Sequence, residues 1–170
     1  MKEEKLATLL KELLRNSRRS DRGLARAINA SQPTVTRNRR ILDKYIRSYT
    51  VIPDFDKIGY EIMAFTFAKA KSYGKEENEA KLKLARKWID GRPNVVFSSE
   101  GEGLAKDVVL VSFHENYSKY ASFIREYSSS LADVFNDIES FVVSLKTGVI
   151  LKPFDLSTLA EDVKQLQIEK

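Results

Sequence analysis

Three arginines, Arg37, Arg39 and Arg40, follow a short polar run, Ser31-Gln32-Pro33-Thr34-Val35-Thr36. At about 100° per residue, Val35 and Leu42 share one face of a helix, while Pro33, Thr36, Arg37 and Arg40 point the other way. A guanidinium is a planar fork of donors that matches guanine O6 and N7 with two parallel hydrogen bonds and also grips phosphate oxygens. Arg37 is therefore the expected base contact and Arg40 a phosphate contact. Gln32, Thr34 and Thr36 join Arg37 in reading bases, and Ser31, Arg18, Arg19 and Arg22 meet phosphates. The same geometry turns Arg39 toward Val35 and Leu42, with its stem packed and its head at the rim. The bland alternative is a solvated charged helix. Charge distribution argues against it. Residues 1–52 hold thirteen Lys/Arg against five Asp/Glu, whereas the rest of the chain holds sixteen against nineteen. One end of the molecule is built for a polyanion.

Other chemistry finds little footing. The chain has no cysteine, so disulfides, thiolate metal sites and a cysteine nucleophile are excluded. His114 is the single histidine and reads as a polar residue at a strand end, so no metal is expected. Glu100, Glu102, Asp107 and His114 gather around one hairpin, but no nucleophile–base pair and no phosphate-cradling glycine loop accompanies them. Neither catalysis nor a cofactor is expected. No apolar run approaches the roughly 20 residues that span a bilayer, and Met1-Lys2-Glu3-Glu4 is acidic where a secretory signal is basic, so a cytoplasmic protein without membrane contact is expected.

The arginine helix needs a support. Ser20 is a good N-cap, Asp21 suits the positive helix end, and Leu24, Ala25 and Ile28 form one apolar side. That helix should stop near Asn29, which tolerates the left-handed conformation of a tight turn. Ser31 then caps the arginine helix, with Pro33 in its first turn. Upstream, Leu6, Leu9, Leu10, Leu13 and Leu14 repeat with helical period and close a three-helix head. Ser48 to Ile52 is rich in β-branched and aromatic residues and reads as a wing or connecting strand. The expected organisation is a helix-turn-helix domain over 1–52, a connector over 53–60, a second domain over 61–150 and a tail over 151–170 with a short helix.

The second domain reads strand (61–69), helix (76–90), strand (94–99), strand (107–113), helix capped by Asn116, strand (137–145). Ala80, Leu84, Ala85 and Trp88 are expected inward on its first helix, and Tyr117, Tyr120, Ala121, Ile124 and Tyr127 mark the second. The order βαββαβ specifies a ferredoxin-like α+β sandwich with both helices on one face of an antiparallel sheet. Its strands are apolar on both sides, for instance Val108-Val109-Leu110-Val111, yet two helices cover only one face. A second copy of the same sheet is the economical cover, which implies a homodimer or larger assembly. In the tail, Asp155-Leu156-Ser157 should cap a helix carrying Leu156, Leu159, Val163 and Leu166.

A helix-turn-helix head, a connector and a βαββαβ domain resemble the Lrp/AsnC family of transcription regulators. The residues carrying the resemblance are Asp21-Arg22-Gly23-Leu24-Ala25, Ser31-Gln32-Pro33-Thr34-Val35-Thr36-Arg37, Tyr49-Thr50-Val51-Ile52-Pro53 and the hairpin ending in Asp107. The resemblance implies a dimer-based assembly that binds double-stranded DNA near promoters and, in many members, answers to an amino acid lodged between sheet domains. Family members carry a short Gly-x-x-Asp pattern at that hairpin. Here Gly103 and Asp107 are one residue too far apart, and Gly101 is farther still. Gly101, Gly103 and Asp107 are the effector-site candidates, against the alternative of a bare hairpin tip. The head departs from the pattern at Asn29, where glycine is usual, and at Arg39, where an apolar residue is usual. A sensing module that coats DNA without sequence preference is the alternative to a specific regulator.

Overall fold

The computed structural model describes residues 2–72 and 74–163. They divide into two compact units: one holds the chain up to Ile52 and the stretch from Lys152 onward, the other Pro53–Leu151. No helix among the described residues is long and apolar enough to cross a membrane.

The first unit contains α1 (Lys2–Arg15), α2 (Asp21–Ala27) and α3 (Gln32–Leu42). Its core is the leucine stripe of α1, with Leu6, Leu9 and Leu13 buried against Leu24, Ala25, Val35 and Leu42. Leu24 and Leu42 are fully enclosed. Ser20 caps α2 by accepting from the Gly23 amide at 3.2 Å. The helix ends at a left-handed residue, Asn29, with φ 50°, and the Ala30 amide reaches back to the Ala25 carbonyl at 2.9 Å. This six-residue closure satisfies an orphan carbonyl and turns the chain sharply into α3, the geometry anticipated for Asn29. Ser31 then accepts from the Thr34 amide at 3.3 Å.

Two features of this unit differ from expectation. Ser48 to Ile52 forms no strand, so the described head carries no wing. The head offers it no second strand to pair with, and Tyr49 instead folds back, donating its hydroxyl to Asp43 at 3.0 Å. Among the described residues the tail forms one 3₁₀ turn, Ser157–Glu161, where an α-helix is expected. Asp155 does initiate it, accepting from the Ser157 amide at 2.8 Å and from its hydroxyl at 2.7 Å. Only Ala160 of the turn is buried, while Leu156 and Leu159 stay exposed, and Leu166 lies outside the described residues. The turn packs on α1, where Glu161 meets Arg15 at 2.8 Å.

The second unit is a four-stranded antiparallel sheet of order β2-β3-β1-β4: β1 (Ile62–Ala70), β2 (Val95–Gly103), β3 (Lys106–His114) and β4 (Phe135–Ser144). Helices α4 (Lys75–Asp90) and α5 (Tyr117–Ser130) complete the βαββαβ order. The helix-covered core joins Ala68, Val108 and Leu110 of the sheet to Ala85 of α4 and to Phe123 and Tyr127 of α5. On α4 the inward stripe is Lys81, Ala85, Trp88 and Ile89, so Ala80 and Leu84, expected inside, are exposed. Lys81 occupies what would be an apolar position, burying its stem while Nζ donates to the Asp133 carbonyl at 3.0 Å. On α5 Tyr117 is exposed, and Phe123 fills the core position instead.

The opposite face carries Met63, Phe65 and Phe67 of β1, Val109, Val111 and Phe113 of β3, and Phe141 and Val143 of β4, in one register. One corner of it is covered within the unit. Phe55, from the segment before β1, stacks on Phe113 with ring centroids 4.3 Å apart, and Tyr60 meets the same ring edge-on. Phe97 and Phe141 remain more than half exposed.

Candidate nucleic-acid interface

The outward face of α3 is set by what the rest of the helix must do. Val35 and Leu42 anchor it in the core, so residues one and two positions beyond Val35 turn to solvent. Gln32, Pro33, Thr36, Arg37 and Arg40 line a shallow open depression. Gln32, Arg37 and Arg40 are exposed, and neither guanidinium has an ion-pair partner among the described residues. Arg18 and Arg22 are also exposed and unpaired there. These four arginines present uncompensated positive charge.

The remaining candidates divide differently. Arg19 pairs with Glu12, whose other oxygen takes Arg15 at 2.5 Å, so one buried carboxylate restrains two cations. The hydroxyls of Ser31 and Thr34 bond each other at 2.8 Å and build the helix start. Thr36 Oγ1 donates to Asp21 Oδ2 at 2.5 Å and lies 3.2 Å from the Gln32 carbonyl. The second oxygen of Asp21 receives Arg39 Nη1 at 2.7 Å. Arg39 also sits over the Tyr49 ring, 5.9 Å from its centroid. Arg39 is thus a brace between α2, α3 and the following segment, with its stem packed and its head at the rim.

Asp21 is the residue that sequence reasoning undervalued. It reads as a charge suited to a helix N-terminus, and the signal for its larger role is the pairing of one carboxylate with Thr36 and Arg39 three residues apart on the next helix. The Thr36 hydroxyl, and then the Arg39 guanidinium, hold its carboxyl below the usual carboxylate range. The same carboxylate raises Arg39 further.

The effector candidates lie at the β2–β3 hairpin. Both strands run farther than their sequence suggests, and the connection is only Leu104-Ala105, with φ 52° and 56°. Two left-handed residues make a type I′ turn, which matches the sheet's twist but normally recruits asparagine and glycine. Gly101 and Gly103 therefore sit in the strand, not in a loop. A register shift between Glu100 and Gly103 leaves an extra residue on β2 there. Gly101 and Gly103 line a recess with Phe67, Leu104, Lys106 and Val109. Asp107 does not line it: its carboxylate accepts Lys69 Nζ at 2.8 Å and the Ala70 amide at 3.0 Å, and these bonds hold it below the usual range. Lys106 is paired too, with Asp137 at 2.5 Å. His114 is buried at the end of β3, its Nε2 2.9 Å from Ser112 Oγ, packed by the rings of Tyr120 and Phe123. Burial pushes its imidazole down, so it serves the core as a neutral group.

The sequence matches no family model and no curated protein. Solved structures do match. LrpC of B. subtilis aligns at 25% identity with a TM-score of 0.68, over 87% of this chain and 96% of that one. An L-Met complex of a transcriptional regulator from Neisseria meningitidis aligns at 15% identity and a TM-score of 0.74, over 87% and 93%. An AsnC family transcriptional regulator from Agrobacterium tumefaciens aligns at 20% identity and 0.68, over 87% and 94%. Each alignment covers most of both chains, and together they give the conclusion plainly: the protein has the fold of the Lrp/AsnC-type transcriptional regulators.

Proposed function

We propose that the protein is a sequence-specific DNA-binding transcription regulator that works in the cytoplasm as a dimer or larger homo-oligomer. The observation that carries this reading is the exposed face of α3, Gln32, Arg37 and Arg40, whose cations are unpaired among the described residues, flanked by Arg18 and Arg22. Arg37 reads a base and Arg40 grips phosphate. Arg37→Ala is expected to cost about 1–3 kcal/mol and relax one position of the site. Arg40→Ala is expected to weaken all sequences alike and lower the salt slope by roughly one. Titration of full-length variants against cognate and random duplexes separates the two, and equal loss on both for both variants overturns the assignment.

The apolar sheet face around Phe65, Phe97 and Phe141 supports pairing with a second copy, because an unpartnered face of that kind is rare on a monomer. Two heads then prefer half-sites about 34 Å apart or a multiple of it. Sedimentation at micromolar concentration is expected to give a dimer or larger, and a stable monomer removes this part of the reading. An amino-acid effector bound against Gly101 and Gly103 extends the proposal. The recess they line supports it, and Asp107 contributes there by fixing the hairpin to β1.

A further inference from the structure

The depression on α3 sets two small side chains, Pro33 and Thr36, among polar and cationic ones. Thr36 and Pro33 are three residues apart and adjacent on the helix surface, with Gln32, Arg37 and Arg40 around them. The polar half of Thr36 is already committed. Its single hydroxyl proton goes to Asp21 Oδ2 at 2.5 Å, and the other nearby acceptor, the Gln32 carbonyl at 3.2 Å, also belongs to the protein. Asp21 is in turn fixed by Arg39 at 2.7 Å, and Arg39 by the Tyr49 ring. A threonine side chain has one other substituent on Cβ, the methyl group, and the staggered geometry that seats Oγ1 against Asp21 turns that methyl away from the acceptors.

From this we infer that Thr36 recognises the 5-methyl group of a thymine by apolar contact, and that Asp21 is a positioning residue that keeps the Thr36 hydroxyl turned inward. The inference rests on the DNA-binding reading and sharpens it. A thymine methyl is the one apolar feature of a base edge in the major groove, and a threonine methyl beside cationic side chains matches it. Gln32 and Arg37, whose polar heads have no partner among the described residues, take the hydrogen-bonding edges on either side.

The experiment begins with selection of bound fragments from random duplexes by the full-length protein. The selected site is resynthesised with each thymine replaced in turn by deoxyuridine, which lacks only the methyl. The wild-type protein is expected to lose about fourfold in affinity at one position per half-site, the effect of burying a single methyl. Thr36→Val keeps the methyl and is expected to keep that ratio. Thr36→Ser keeps the hydroxyl on Asp21, lacks the methyl, and is expected to bind thymine and uracil equally at that position. Asp21→Ala frees the hydroxyl to turn outward and is expected to reduce the ratio without abolishing binding, a split that loss of head stability alone does not produce. Should Asp21→Ala fail to fold, the two Thr36 variants decide. A site insensitive to uracil everywhere, or a Thr36→Ser protein with the wild-type ratio, overturns the inference while leaving sequence-specific binding intact. Selection that enriches no sequence overturns both readings.

Discussion

The two units handle charge in opposite ways. In the sheet unit, Lys69 is matched by Asp107, Lys106 by Asp137 and Lys146 by Glu61, and the chain beyond Ile52 holds nineteen Asp/Glu against sixteen Lys/Arg. In the head, Glu12 and Asp21 answer Arg15, Arg19 and Arg39, while Arg18, Arg22, Arg37 and Arg40 are left without partners there. Among the described residues, pairing marks the arginines that brace the head, and those without a partner leave its surface with a surplus of cations. The surplus of cations over nearby anions is the signal, more than the number of cations.

That contrast can be broken from the scaffold side first. Leu24→Ala removes a fully enclosed side chain from a core of seven buried residues, and thermal or urea unfolding of the head should show a loss of about 2–5 kcal/mol. Amide exchange should then accelerate in α2 and α3 and stay unchanged in β3. If β3 loosens equally, the two units do not fold as separate cores.

A smaller perturbation alters the surplus itself. Glu12→Gln releases Arg19 while keeping the shape of the side chain, and Arg15 keeps Glu161. The slope of log affinity against log salt should steepen by about one, with random duplexes gaining as much as the selected site. Neutralising Lys106, by contrast, should leave both slopes as they are. A shallower slope from the Lys106 variant would remove the distinction drawn between the units.

The smallest effect is in acid. Burial depresses the His114 imidazole below its ordinary 6.5, so the unfolded chain takes up the proton more readily than the folded one. Its contribution is complete above pH 6.5 and is lost as pH falls below that value. Asp21 is depressed below the ordinary carboxyl value of 3.8, so its contribution is complete above that pH and is lost only below it. Protection factors of the β3 amides, corrected for the intrinsic exchange rate, should therefore fall as pH drops below 6.5 while those of α2 hold, and His114→Gln should flatten that dependence. An unchanged profile in the variant assigns the acid response to other groups.

The head was legible because its signals are local. Ser20, Asn29, Ser31 and Pro33 act within a turn of their own positions, and the leucine stripe of α1 has a single period. The strand order was legible for the same reason. What escaped depends on contacts between elements. Asp21 reaches across fifteen residues to Thr36, and nothing in its own neighbourhood announces that. On α4, Lys81 takes an inward position that hydropathy assigns to Leu84, because its stem is apolar and its charge finds the Asp133 carbonyl. The hairpin misled because its turn is made by Leu104 and Ala105, while the glycines that usually mark such turns lie in the strand. Ser48 to Ile52 has the composition of a strand and lacks a partner to pair with, which composition does not reveal.

The contact between Glu161 and Arg15 closes the head across 146 residues. A ribosome adding about 5–20 residues per second delivers Glu161 on the order of ten seconds after Arg15, once the intervening sheet unit has been synthesised. A nascent chain thus holds its leucine bundle with Arg15 met only by Glu12, and translation through the tail supplies the final clasp. Premature termination would leave a head whose Arg15 keeps Glu12 but lacks its second carboxylate.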